Sequence, residues 1–186
     1  MEVRRVVADE LARFEGDLVA LLEERYRPSP WHESTAENVA QARHLVEAAA
    51  GGDTVTAIAL DGDDLLGLAQ GGPGALFAAD LRAAGPDAAR GWDPPMFELQ
   101  QLVVSPSVAG AGIGGRLHDA VMESVAGPAL LLTHPDAEAA LGLYDRRGWV
   151  LLARTSFGPE HPRVILGRRT PGQATRAAPR AGGPPS

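Results

Sequence analysis

Four glycines at positions 110, 112, 114 and 115 fall within the stretch Leu102–Leu117, LVVSPSVAGAGIGGRL. An apolar, strand-like run ends at Val104, a Ser-Pro step follows, and an amphipathic helical pattern takes over at Ile113. A glycine-rich loop feeding a helix start leaves backbone N–H groups without partners. The helix dipole favours negative charge there, and the missing side chains let a phosphate come close. The implied ligand carries phosphate.

Two motifs compete for this stretch. Gly110, Gly112 and Gly115 satisfy G-x-G-x-x-G, the dinucleotide fingerprint, and Asp136 follows the next strand where a ribose-binding acid would stand. In such a unit the first glycine follows its strand almost at once, whereas Ser105–Ala109 intervene here. The unit would also begin two-thirds of the way along a short domain.

The segment more closely resembles the acetyl-CoA-binding motif of the GCN5-related N-acetyltransferase (GNAT) family. That motif runs from a strand ending in V-x-P, here Val104-Ser105-Pro106, into [Q/R]-x-x-G-x-[G/A] and a helix. Gly112 and Gly114 match, while Ala109 stands where the leading Gln or Arg is expected. Downstream, the residues from Ala140 through Tyr144 and Gly148 to Trp149 resemble the family's A-x-x-x-Y-x-x-x-G-F, with Ala137 in place of a frequent Asn. The resemblance spans roughly residues 3–167.

It implies an α/β GNAT fold: a mixed, mostly antiparallel central sheet, splayed at the acetyl-CoA site, with helices on both faces. It also implies direct transfer of an acetyl group from acetyl-CoA to a small-molecule or peptide amine, with no covalent enzyme intermediate. The amides around Ala109, Gly110, Gly112, Ile113, Gly114 and Gly115 would hold the pyrophosphate, and Arg116 could reach a phosphate. Val103 and Val104 would pair with the pantetheine arm as a further strand would.

An alkyl amine of pKa near 10.4 is neutral in only about one molecule per two thousand at pH 7, so a base must take its proton. By resemblance that base is Glu98, six residues before Val104, and a carboxylate within an apolar strand would have a raised pKa. The motif tyrosine, Tyr144, is the matching acid for the departing thiolate. The alternative roles are a solvent-facing or arginine-paired carboxylate and a core tyrosine. The loop Tyr26–Glu33 and the irregular segment Gly71–Pro95 would build the acceptor pocket. Trp31, His32 and Trp92 would face a cationic amine there, or else anchor those loops to the core. A degenerate domain that binds an acyl-CoA as a sensor, without turnover, is the second reading, motivated by Ala109 and Ala137.

The elements that must position these residues follow from pattern. Val3–Val7 reads as a strand, with Asp9 capping a helix to about Arg25. Ser34 and Glu37 form a capping box for a helix to about Ala50. Thr54–Leu60 and Asp64–Gln70 read as a hairpin turning at Asp61–Gly62. A short helix is expected near Ala75–Ala84. Strand Phe97–Val104, helix Ile113–Val125, strand Ala129–Thr133, helix Asp136–Arg147 and strands Trp149–Ala153 and Arg163–Gly167 complete a domain over residues 1–168. Residues 169–186 hold Pro, Gly, Ala and Arg but no core-forming pattern, and read as a disordered tail.

Composition narrows the classes. Cysteine is absent, which removes disulfides, a Cys nucleophile and thiolate metal sites, and the five histidines show no metal-ligand spacing, so no metal is expected. Lysine is absent too, and all 17 basic residues are arginine. The net charge is −7; residues 168–186 hold four arginines and no acid, leaving thirteen arginines against 24 acids, or −11, in the remainder. An acidic body argues against a nucleic-acid partner and suits a cationic amine. No apolar run reaches the ~18 residues of a membrane span, and the charged N-terminus lacks a secretion signal. A cytoplasmic protein without a membrane partner is expected, with a homodimer among the assemblies that remain open.

Overall fold

The computed structural model describes residues 1–156 and 161–169. The expectation of disorder at 170–186 lies outside the described residues. Elements follow in chain order: β1 (Glu2–Val6), α1 (Ala8–Leu11), a 3₁₀ turn (Ala12–Phe14), α2 (Glu15–Tyr26), α3 (Thr35–Ala50), β2 (Val55–Asp61), β3 (Asp64–Gly74), α4 (Leu76–Ala84) and α5 (Pro86–Ala89). Then come β4 (Met96–Val104), a second 3₁₀ turn (Pro106–Val108), α6 (Ile113–Met122), β5 (Ala129–Thr133), α7 (Glu138–Asp145), β6 (Val150–Ser156) and β7 (Pro162–Arg168).

Among the described residues, seven strands form one sheet in the order β1-β2-β3-β4-β5-β7-β6, and the single parallel pair is β4 with β5. This is the mixed, mostly antiparallel α/β architecture expected from the sequence. The β2–β3 hairpin turns at Gly62, whose φ of 62° suits a residue without Cβ. The capping box opening α3 is present in full: Ser34 Oγ accepts the Glu37 amide at 3.3 Å and Glu37 Oε2 accepts the Ser34 amide at 2.7 Å. The first helix departs from expectation. It breaks into α1 and α2 at Phe14 (φ −98°, ψ 9°), and Val7 rather than Asp9 caps it, its carbonyl accepting the Glu10 and Leu11 amides.

Three apolar clusters set the layers. On one face α6 and α7 bury Ile113, Leu117, Val121 and Tyr144 against Leu99, Leu131 and Val164. On the other, α1–α3 bury Leu11, Leu18, Leu22 and Leu45 against Ile58, Leu68 and Val103. On that same second face, over β5 and β7, α4 covers Leu130 and Ile165 with Ala78 and Leu81. Each such fully buried Leu or Ile contributes about 1.5–3 kcal/mol.

One irregularity in β4 decides which side chains reach the site. Gln101 pairs with Gln70, but Leu99 pairs with Gly71, so Gln100 is an extra residue, a bulge. Side chains alternate along a strand, and a bulge shifts the alternation by one. Phe97 and Leu99 therefore face the α6 side before the bulge, and Leu102 and Val104 face it afterwards. Glu98 ends on the opposite face from Val104, although six residues separate them.

Candidate functional site

Between β4 and β5 the ladder runs only through Phe97–Ala129, Glu98–Leu130 and Leu99–Leu131. Beyond Leu99 and Leu131 the strands part, and the wedge between them opens into a cleft of about 1230 Å³. The parting bares one edge of β4. The Ser105 amide donates to Leu66 O at 2.8 Å and Val103 O lies against Gly67, so both residues are spent on β3. Peptide groups alternate along a strand, so Leu102 and Val104 present theirs to the open side. Of the two valines expected to pair with a ligand arm, Val104 lines the cleft; Val103 does not, and its side chain is buried beneath α2 and α3.

One end of the cleft is the glycine loop. Gly110 and Gly112 have φ of 81° and 76°, a left-handed conformation that side chains disfavour. Gly112 caps α6 without any side-chain acceptor, unlike Ser34 at α3. The first α6 amide with a carbonyl behind it is that of Arg116, which donates to Gly112 O at 3.2 Å. The amides of Ile113, Gly114 and Gly115 thus point outward unpaired. A Cβ on Gly114 would come within 3.1 Å of Leu143 Cδ1, and one on Gly115 would strike the Arg147 guanidinium. These features fit a pyrophosphate in van der Waals contact with backbone. Ala109, Gly110, Gly112, Ile113, Gly114 and Gly115 all line the cleft, whereas Arg116 is exposed and does not.

Two cations missed in the sequence stand across from this loop. Arg146 and Arg147, at the end of α7, both line the cleft. Arg147 is clamped by Asp119, with Nε and Nη2 donating to the two carboxylate oxygens at 2.7 and 2.9 Å. The signal was the Arg-Arg pair inside the Tyr144–Trp149 motif, whose side chains carry the charge that Ala109 lacks.

Tyr144 lies at the waist of the cleft and is 6% exposed. Burial raises its pKa above the ordinary phenol value, so it keeps its proton at neutral pH. Its ring is fixed by Trp149 and His118 at centroid distances of 5.9 and 6.4 Å. His118 is itself locked: Nε2 accepts the Trp149 indole N–H at 3.0 Å, which leaves the proton on Nδ1, 2.8 Å from Asp119 Oδ1. Burial lowers the His118 pKa and keeps the imidazole neutral.

Glu98 is not brought to the cleft. It is 2% exposed, and its Oε1 accepts the Phe77 amide at 2.7 Å at the start of α4. Its carboxyl also packs against Gly74, where any Cβ would collide with it. Burial raises its pKa, as the sequence reading expects, but the Gln100 bulge has turned it to the α4 side.

The other end of the cleft is built by α2, α3 and the loop joining them. Trp31 lines it, as expected. His32, with φ of 53°, is exposed and outside the lining. Trp92 is an anchor: it is buried with Leu130 and Ile165, and Arg169 stacks on its ring at 4.6 Å. Tyr26, a boundary of the acceptor loop in the sequence, is a functional side chain in the fold. Its hydroxyl donates to the open carbonyl of Leu102 at 3.3 Å and accepts Gln101 Nε2 at 2.9 Å, while Gln101 Oε1 accepts Gln41 Nε2 at 3.2 Å. Both tyrosines of the chain therefore face the parted strands.

Glu33 is the carboxylate this wall offers. It is half-buried and lines the cleft, and its carboxylate makes no hydrogen bond or ion pair among the described residues. Burial foremost, and then the neighbouring Glu37 charge, push its pKa up. Glu37 is occupied by the capping box. Among the described residues, no group of three or more His, Asp or Glu side chains is placed to hold a metal ion, and no helix is long and apolar enough to cross a membrane.

Known proteins match this arrangement by fold. A CoA-bound aminoglycoside 6'-N-acetyltransferase superposes with a TM-score of 0.65 at 16% identity, covering 91% of this chain and 97% of its own. The aminoglycoside 6'-N-acetyltransferase from Enterococcus faecium gives 0.61 at 16% identity over 91% and 97%. The CoA-bound PaiA N-acetyltransferase from Thermoplasma acidophilum gives 0.58 at 12% over 91% and 98%. No curated protein matches in sequence. The sequence model described as the acetyltransferase (GNAT) family matches residues 17–149, which takes in most of α2, the parted strands, the glycine loop and Tyr144. On that match, and with that fold, the chain belongs to the acetyltransferase (GNAT) family.

Proposed function

We propose that this protein is an acetyl-CoA-dependent N-acetyltransferase that moves an acetyl group directly to an amine. The observation that carries the reading is the parting of β4 from β5, with the uncapped α6 amides at one end and an unpaired carboxylate at the other. Acetyl-CoA, when bound, supplies the activated acyl group and leaves as a thiol. The amides of residues 112–115 hold its pyrophosphate, helped by Arg146 and Arg147. The Leu102 amide and the Val104 peptide group, which face the cleft, orient its arm beside β4, while the Leu102 carbonyl takes the Tyr26 hydroxyl.

The remaining work is proton transfer. Glu33, a carboxylate whose pKa burial raises, binds the incoming ammonium and takes its proton. Tyr144 Oη holds a proton that it can give to the departing sulfur. Tyr26 and the Gln101–Gln41 pair close the wall behind the acceptor and exclude water. Glu98 stabilises α4 and takes no part in the transfer.

The displaced Glu98, with Ala109 and Ala137, favours a second reading: an acyl-CoA-binding domain without turnover. One experiment separates the two. Acetyl-CoA is expected to raise the melting temperature, and free thiol to appear when an amine panel is added. A CoA-dependent shift with no thiol release from any amine selects the sensor. A shift with NAD and none with CoA rejects both.

A further inference from the structure

The glycine-loop end of the cleft is backed by a chain of hydrogen bonds that begins in the core. The Trp149 indole N–H donates to His118 Nε2 at 3.0 Å, and the two residues are only 3% and 1% exposed. His118 Nδ1 then donates to Asp119 Oδ1 at 2.8 Å. The Asp119 carboxylate in turn holds Arg147 at two points, with Nε on Oδ1 at 2.7 Å and Nη2 on Oδ2 at 2.9 Å. Each link is fixed by the one before it, so the order of the core reaches a guanidinium at the cleft wall.

That guanidinium lies against the first turn of α6. A Cβ at Gly115 would collide with Nη2 and meet Nη1 at 3.4 Å, so the missing side chain makes room for the arginine. The Gly115 amide is one of the three that lack an acceptor within α6. Nη1 itself donates to no described residue. A long side chain that must be ordered when its ligand arrives weakens binding by roughly two- to tenfold. Arg147 is ordered beforehand.

Charge alone would argue against a carboxylate at this place. The hydrogen bonds from Arg147 hold the Asp119 carboxyl below its ordinary range, so it is an anion at neutral pH. An anion beside a phosphate site repels the ligand. Its benefit has to come through geometry. We infer that Asp119 is a positioning residue for CoA: it holds Arg147 over the α6 amides so that Nη1 meets the diphosphate. This inference rests on the acetyltransferase reading above and adds the residue behind its phosphate grip.

Titration calorimetry of the full chain with CoA and with 3′-dephospho-CoA tests it. Asp119→Asn keeps the shape and an acceptor for His118 but loses the charged two-point hold. It is expected to raise the Kd of both ligands by about three- to tenfold, although it removes a repulsive charge. Asp119→Ala, which keeps neither acceptor, should lose at least as much. Arg147→Gln is expected to weaken both ligands by about tenfold or more. In that background Asp119→Asn should no longer weaken binding, a dependence that general damage to the fold would not produce.

Unchanged or tighter binding in either Asp119 variant overturns the positioning role. So does a loss that survives in the Arg147→Gln background, which would make Asp119 a structural tie between α6 and α7. A loss seen with CoA and absent with 3′-dephospho-CoA overturns the assignment to the diphosphate. In all these outcomes the wild type binds CoA, and the transferase reading stands. A wild type that binds neither ligand sinks that reading and takes the Asp119 clamp with it.

Discussion

The Glu98 carboxylate and the Phe77 amide meet at 2.7 Å, joining the middle of β4 to the first turn of α4. The bond gives α4 the side-chain acceptor that Ala75, at its cap, cannot supply. Burial, the largest effect on Glu98, raises its pKa, and the amides of Phe77 and Ala78 offset only part of this. A carboxyl whose folded pKa lies above its unfolded value stabilises the fold most at low pH. That contribution is lost as pH rises through the folded value.

Glu98→Gln keeps an acceptor for Phe77 and removes the titration. Relative to wild type, the variant is expected to gain stability as pH rises above the ordinary carboxylate range, with the gap closing toward pH 4. Urea denaturation at several pH values measures it. Glu98→Ala strands the buried amides and is expected to cost about 1–3 kcal/mol. Acetyl transfer by Glu98→Gln should stay within about threefold of wild type, since base removal would cost about a hundredfold or more. A collapse of kcat with stability retained returns Glu98 to catalysis.

The limits of sequence reading are local ones. The β2–β3 hairpin at Gly62, the capping box at Ser34 and the glycine loop were legible because each rests on contacts within a few residues. Glu98 was misplaced because parity along β4 is set by the Gln100 bulge, which no residue type announces. The same blindness hid Val103's commitment to β3. Tyr26, Glu33 and Arg163 come from α2, a loop and β7, and only the closed sheet brings them to one wall. Trp92 reads as a ligand platform or a core anchor, and Leu130 and Ile165 packed around it decide for the anchor.

Gly112 separates conformational from steric demands on the loop. Its φ of 76° is left-handed, and nothing lies within 4 Å of the Cβ it lacks. Gly112→Ala is therefore expected to cost about 1–2 kcal/mol through backbone strain alone. Any relaxation would swing the α6 amides off the phosphate, and CoA affinity should fall about tenfold or more. Titration calorimetry and thermal melts read the two effects. Gly16, in α2 with open space around it, is the control: Gly16→Ala should stabilise by about 0.5 kcal/mol and leave CoA binding unaltered.

Arg146 and Arg116 test which cation replaces the side chain lost at Ala109. Arg146 lines the cleft beside the clamped Arg147, and Arg116 points to solvent. A charge-assisted contact to phosphate contributes about 1.5–3 kcal/mol. Arg146→Ala should therefore weaken CoA binding by about tenfold or more, and the loss should shrink as salt is raised. Arg116→Ala should change affinity by less than about twofold. The reverse ranking would mean that the α6 side, and not α7, supplies the phosphate's counter-charge.

Tyr144 is the residue on which turnover and binding separate. Its hydroxyl sits on a ring wedged between His118 and Trp149, so removing one oxygen leaves the packing of α7 in place. Tyr144→Phe is expected to lower kcat by about a hundredfold while acetyl-CoA affinity changes by less than about threefold. The raised pKa sets the pH behaviour: the proton is present across the neutral range, so wild-type kcat should show no alkaline loss from this group below the ordinary phenol value. The rising acid limb should instead follow a carboxyl titrating above the ordinary range, and it should persist in Tyr144→Phe because Glu33 sets it. A variant with wild-type kcat would leave Tyr144 as packing, and the proton for the departing sulfur would then come from water in the cleft.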